Sequence, residues 1–216
     1  MYSPYQYFFV SDTETGGLIS AKKKAFDGIA LTEVAIVVVD QDLNEVEEHC
    51  WLIKPYKDDL IFEPGAQKVS GISRKMCEKE GQDVEKVMKE IIALAKKYTS
   101  NKKKPIFVGQ NFRRFDLPFF ENMFIFFKKK FTTYFSPDVL DTMDFGRLYK
   151  PEAVGYSLGE NCKSAGFTFE DAHRALPDTK ATSRLWIHYM KNLRGLNSGA
   201  GKKVKKVKKY RKKFQM

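Results

Sequence analysis

The stretch Leu31 to Asp40 (LTEVAIVVVD) holds the longest unbroken aliphatic run of the chain, Val34 to Val39. A short apolar run bounded by polar residues reads as a buried strand. It is about a third of the roughly 20 apolar residues that a bilayer-crossing helix needs, so no membrane span is expected. Val46 to Lys54 (VEEHCWLIK) is a second strand candidate, and the polar turn Gln41-Asp42-Leu43-Asn44 between the two predicts an antiparallel hairpin. Upstream, Tyr7-Phe8-Phe9-Val10 runs into Ser11-Asp12 as a third, aromatic-rich strand candidate that ends in a carboxylate and is broken by Gly16 and Gly17. Three consecutive strands of this kind form the heart of a sheet.

Helical periodicity follows. Gln82 to Tyr98 places Val84, Val87, Met88, Ile91, Ile92 and Ala95 at three-and-four spacing. Pro105 to Gly109 reads as a short buried strand, Leu117 to Phe127 as a helix that is apolar nearly all round, and Val139-Leu140 as a further short strand. Tyr156 to Ala165 and Thr179 to Leu193 complete the helical pattern. The order β-β-β-α-β-α-β-α-α predicts an α/β domain on a mixed sheet. The 216 residues, 43% hydrophobic and 14% aromatic, are enough for one good core. Met1 to Val10 lacks the basic region and cleavage site of a signal peptide and is read as part of the fold.

Cys50, Cys77 and Cys162 lie far apart with no CxxC pair, which suggests neither a zinc knuckle nor a disulfide framework and fits a reducing, cytoplasmic compartment. The net charge of +11 is unevenly spread. Nine basic residues and no acid lie between Lys202 and Lys213; without them the chain has 29 basic and 27 acidic residues. The expected division is therefore a globular domain over 1–194 and a flexible linker with a basic, disordered tail over 195–216. Such a tail suits contact with phosphates or a nuclear address.

Asp12 and Glu14, one residue apart at a strand end, point to the same side of the pleat, a natural way to hold a divalent metal. Asp116 sits in the aromatic segment Phe115 to Phe120, where a charge is costly unless paired or bound to metal; a helix N-cap is the other reading. Asp178 lies just before the final predicted helix, five residues after His173, and an N-cap is again the alternative. Four carboxylates suit magnesium or manganese, and a histidine suits a proton acceptor near neutral pH.

Asp12-Thr13-Glu14-Thr15-Gly16-Gly17-Leu18, Asn111 to Phe120, and His173 to Asp178 with its His-x4-Asp spacing resemble the three motifs of the DEDDh (DnaQ-like) 3′→5′ exonucleases. Pro64-Gly65-Ala66, Ser70-Gly71-Ile72, Asp141-Thr142 and Ser157-Leu158 also resemble recurrent family positions, over about residues 6 to 190. Gln110 and Ser70 stand where the family commonly has histidines, and Asn111 lies five residues before Asp116 where many bacterial members have four. The resemblance implies an RNase H-like mixed five-stranded sheet flanked by helices. It also implies a site for two Mg2+ (or Mn2+) ions about 4 Å apart.

By the same resemblance Asp12 bridges both ions, Glu14 and Asp178 complete the site of the ion carrying the attacking water, and Asp116 supports the second ion through a water. His173 takes the proton. Leu18 wedges against the terminal base, the backbone around Thr13 and Gly17 admits the 3′-hydroxyl, and Asn111 holds the sugar-phosphate. The implied substrate is a single-stranded or frayed DNA 3′ end, in proofreading beside a DNA polymerase or in repair. An RNA-trimming enzyme and a catalytically silent nucleic-acid-binding module stay open as alternatives.

Overall fold

The computed structural model describes residues 7–169 and 173–196. Three strands come first, β1 (Tyr7–Thr15), β2 (Leu31–Asp40) and β3 (Glu45–Leu52), joined as antiparallel neighbours. Three helices follow, α1 (Pro64–Ser70), α2 (Arg74–Glu80) and α3 (Val84–Lys97). Then come β4 (Ile106–Gly109), α4 (Asp116–Phe126), β5 (Val139–Asp141), α5 (Thr142–Tyr149), α6 (Leu158–Ser164) and α7 (Ala175–Leu193). The sheet order is β3-β2-β1-β4-β5, with β1, β4 and β5 mutually parallel, so the expected mixed five-stranded sheet is the one found.

Side-chain alternation divides the core in two. On one face Phe9, Val34, Ile36, Val38 and Phe107 pack beneath α3 and α4 with a large aromatic cluster. There Phe107 touches Phe9, Phe112, Phe120, Phe131 and Phe135, with ring centroids 4.7 to 6.0 Å apart. On the other face Phe8, Val10, Val37, Val39, Ile106 and Val108 meet Trp186 of α7. The apolar stripe of β2 is buried on both faces, which is why its sequence lacks alternation.

Several boundaries differ from expectation. β1 continues through Glu14 to Thr15 instead of ending at Asp12, because Glu14 still pairs with Glu33 and Thr15 with Leu31. α7 starts at Ala175, four residues ahead of the predicted Thr179, so Asp178 lies within its first turns. Helices α1, α2 and α5 were not anticipated. Each has only seven or eight residues, too few for a periodic signal, although Pro64 opens α1, Gly71 closes it at φ 72° and Ser73 caps α2 by accepting from Met76 N–H. Of the predicted tail, Gly195 and Leu196 form a turn after α7, and 197–216 lies outside the described residues.

Candidate active site

The carboxyl ends of β1, β4 and β5 converge at one edge of the sheet, where open α/β sheets present ligand sites. Asp12 and Glu14 share the face of β1 that carries Phe8 and Val10, the face on which α7 packs. α7 therefore brings Asp178 onto the same two residues. One carboxylate oxygen each of Asp12, Glu14 and Asp178 lies within 4.8 Å of the others, a grouping able to hold a metal ion.

Asp116 arrives from the other face. Phe115, not Asp116, is the N-cap of α4, and Asp116 occupies the first turn, 2% exposed. Its Oδ1 accepts from Thr13 N–H at 2.9 Å and from the Thr13 hydroxyl at 2.6 Å, tying the second motif to the first across 103 residues. Likewise Arg174, not Asp178, is the N-cap residue of α7.

These acids repel one another in a poorly hydrated place. Burial, then repulsion from Asp116, Glu14 and Asp178, holds the Asp12 carboxyl well above the ordinary carboxylate range. Glu14 is pushed up to about 7 by burial and by Asp178 and Glu33. Burial also pushes Asp116 to about 7, against the pull of its bonds from Thr13. A divalent cation would relieve all three effects.

His173 is exposed, with its backbone in the left-handed region at φ 39°. It lines a cavity of about 340 Å³ together with Asp12, Asp178, Gln110, Ser157 and Phe169. One wall is fixed by Gln110, whose amide donates to Tyr156 O at 2.6 Å and accepts from Thr142 Oγ1 at 2.6 Å. Asn111, at φ 55°, donates its N–H to Asp141 Oδ1 at 2.8 Å, and Asp141 also caps α5 through Met143 N–H. Leu18 stands 71% exposed beside the site strand. A Cβ at Gly17 would meet the Glu63 carboxylate at 2.7 Å, so a larger residue there would have to push that side chain aside.

Three residues of this neighbourhood had no role assigned from sequence. Asp141 and Gln110 carry no local sign of what they hold, since it is set by contacts 30 and more residues away. Glu33 is the third, and the sign it leaves in the sequence is an acid within an apolar buried strand. No helix among the described residues is long and apolar enough to cross a membrane.

The exonuclease family model (RNase T type) matches residues 9–186. The 3′-5′ exonuclease DinG of Bacillus subtilis is 30% identical over 193 residues, 88% of this chain and 18% of that protein. Among solved structures, E. coli exonuclease I in complex with a dT13 oligonucleotide superposes with a TM-score of 0.71 at 22% identity, over 88% of this chain and 42% of its own. A zinc-bound exonuclease I–ssDNA complex gives the same score over 88% and 41%. This likeness shows the fold, and the chain spans less than half the length of these relatives. The family model covers most of the chain. The chain therefore belongs to the exonuclease family of DnaQ-like, RNase H-like proteins.

Proposed function

We propose that this protein is a metal-dependent 3′→5′ exonuclease acting on single-stranded or frayed DNA ends. The observation that carries the reading is the meeting of Asp12, Glu14 and Asp178 within 4.8 Å, at the sheet edge where β1, β4 and β5 end. The donor set fits a divalent cation, because three hard oxygen donors are crowded together and burial and repulsion disfavour the ionised forms of Asp12 and Glu14. Magnesium or manganese is the reading we favour on that donor chemistry. When bound, such ions neutralise phosphate charge and lower the pKa of water.

Asp12, Glu14 and Asp178 hold the metal, and Asp116 supports the site from the opposite face of the sheet through Thr13. His173, on the rim of the same cavity, accepts the proton of the attacking water. Leu18 offers a solvent-facing apolar surface on which the terminal base can stack without regard to sequence. Gly17, whose missing side chain leaves its backbone open to close approach, sets the room for the terminal sugar together with Thr13 and Asn111.

The exonuclease I structures that hold oligonucleotides hold DNA, which supports DNA ahead of RNA. Neither RNA trimming nor a polymerase partner gains support from the relatives, so repair is the role we favour over proofreading. The three free thiols suit a reducing compartment.

The test is a digestion panel of end-labelled single-stranded DNA, duplex DNA and RNA with magnesium or manganese. Mononucleotides released from the 3′ end of single-stranded DNA, with Asp12→Ala inactive, are expected. Release from 5′ ends, or equal activity in chelator, overturns the reading.

A further inference from the structure

Glu33 is 2% exposed and lies on β2 directly across from Glu14. Among the described residues of the strand, the nine from Leu31 to Val39 are all buried, and Glu33 is the one acid among them. A buried carboxylate opposite another acid is costly by desolvation and by repulsion. A role in core packing alone would be better filled by an apolar residue.

Both Glu33 oxygens are engaged by the start of α7. Arg174 Nε donates to Oε2 at 3.1 Å, its Nη2 donates to Oε1, and Ala175 N–H donates to Oε2 at 2.9 Å. The N-cap residue Arg174 makes no side-chain cap of its own, so Glu33 supplies the cap from 142 residues away. Fork-to-fork pairing of this kind fixes angle as well as distance. Arg174 follows His173 directly, and Asp178 lies one turn beyond it, its N–H donating to Arg174 O at 3.2 Å.

We propose that Glu33 is a positioning residue of the site: its carboxylate clamps the first turn of α7 to β2 and so fixes His173 and Asp178 against the acids of β1. The proposal rests on the exonuclease reading. Glu33 is placed as a positioning group and not a ligand, since Arg174 and Ala175 occupy both its oxygens and it lies beside, not within, the Asp12, Glu14 and Asp178 grouping. Beside the repulsion it adds to Glu14, its positioning effect is geometric, and a displacement of about 1 Å in a reacting group can cost on the order of 10²-fold in rate.

The experiment compares full-length wild type with Glu33→Gln, Glu33→Ala and Arg174→Lys. Three quantities are read: the single-turnover rate on a saturating labelled oligo-dT with magnesium, the oligonucleotide affinity in calcium, and amide hydrogen exchange along α7. Glu33→Gln keeps the shape and one acceptor, so it is expected to stay folded. It should lose about 10- to 100-fold in rate, with affinity within about threefold of wild type. Exchange should rise about tenfold or more in the first turn of α7 and stay unchanged around Trp186. Arg174→Lys, which keeps the charge but not the fork, should retain part of the rate.

A folded Glu33→Gln protein at the wild-type rate overturns the proposal, as does a loss seen only in affinity or only in proportion to the unfolded fraction. A wild type that releases no nucleotide from any 3′ end overturns the exonuclease reading instead. The exchange pattern then decides the clamp by itself: an unchanged first turn in Glu33→Gln refutes it.

Discussion

Glu14 is partly open to solvent, and yet its carboxyl titrates at about 7 because Asp178 and Glu33 add to the effect of burial. Asp116, wholly enclosed, reaches a similar value of about 7 against two hydrogen bonds that favour its ionised form. In the unfolded chain both groups titrate near about 4, so between about pH 4 and 7 the native state holds protons that the unfolded state has released. Stability of the metal-free protein must then fall as pH rises through that window and level off above it. Melting temperatures in chelator should decrease from about pH 5 to pH 7.5, and magnesium should raise them more at the higher pH. A flat profile would remove the crowding argument. The same crowding predicts that Asp12→Asn abolishes nucleolysis while raising the metal-free melting temperature near neutral pH, a pairing that loss of a core residue would not give. His173→Ala is expected to lower the rate by about 10² to 10⁴, the usual worth of a general base. Metal affinity should hardly change; its collapse together with the rate would make His173 a ligand instead.

At the scale of the element, the site depends on how the end of β1 is held. Gly16 donates its N–H to Ala30 O at 2.8 Å and accepts from Glu63 N–H, and a Cβ there would stand 2.1 Å from Ile61 O. Gly16→Ala forces the loop before α1 away from β1, and about 1 to 3 kcal/mol of destabilisation is expected from such overpacking. Denaturant unfolding measures this directly, and an unchanged midpoint would mean the loop yields freely. α4 works differently: its Phe119, Phe120, Met123 and Phe124 bury against the Phe107 cluster, which drives Asp116 into the sheet edge despite its charge. The energy that places this carboxylate comes from four apolar side chains downstream of it.

For the molecule as a whole, the distribution of charge matters more than its total. Lys202 to Lys213 carries nine cations, while the rest of the chain has 29 basic against 27 acidic residues. We infer that this segment strengthens capture of nucleic acid without touching chemistry. Deleting 201–216 should leave the rate at saturating substrate near that of the full chain and make affinity less sensitive to salt. Each phosphate neutralised on a single strand contributes about −0.7 to the logarithmic slope, so four engaged lysines account for about 3 units. Equal slopes for both forms would assign the segment to another task.

Pattern alone was enough for the elements whose burial is written locally. β2 and α3 are legible because a strand buried on both faces and a helix with one apolar stripe leave distinct periods in the chain. The three motifs could also be read in order, since Asp12-x-Glu14 and His173-x4-Asp178 are spacings within one segment. Which acids meet was decided only in three dimensions. Asp12, Glu14 and Asp178 gather because α7 crosses one face of the sheet, while Asp116 is bound through Thr13 from the other. Short helices such as α2 and α5 take their stability from tertiary contacts and caps and so leave too few residues for a period to show. What Glu33 holds was likewise decided by the tertiary structure: its two partners, Arg174 and Ala175, are 141 and 142 residues distant, and no local pattern encodes a hydrogen bond across that separation.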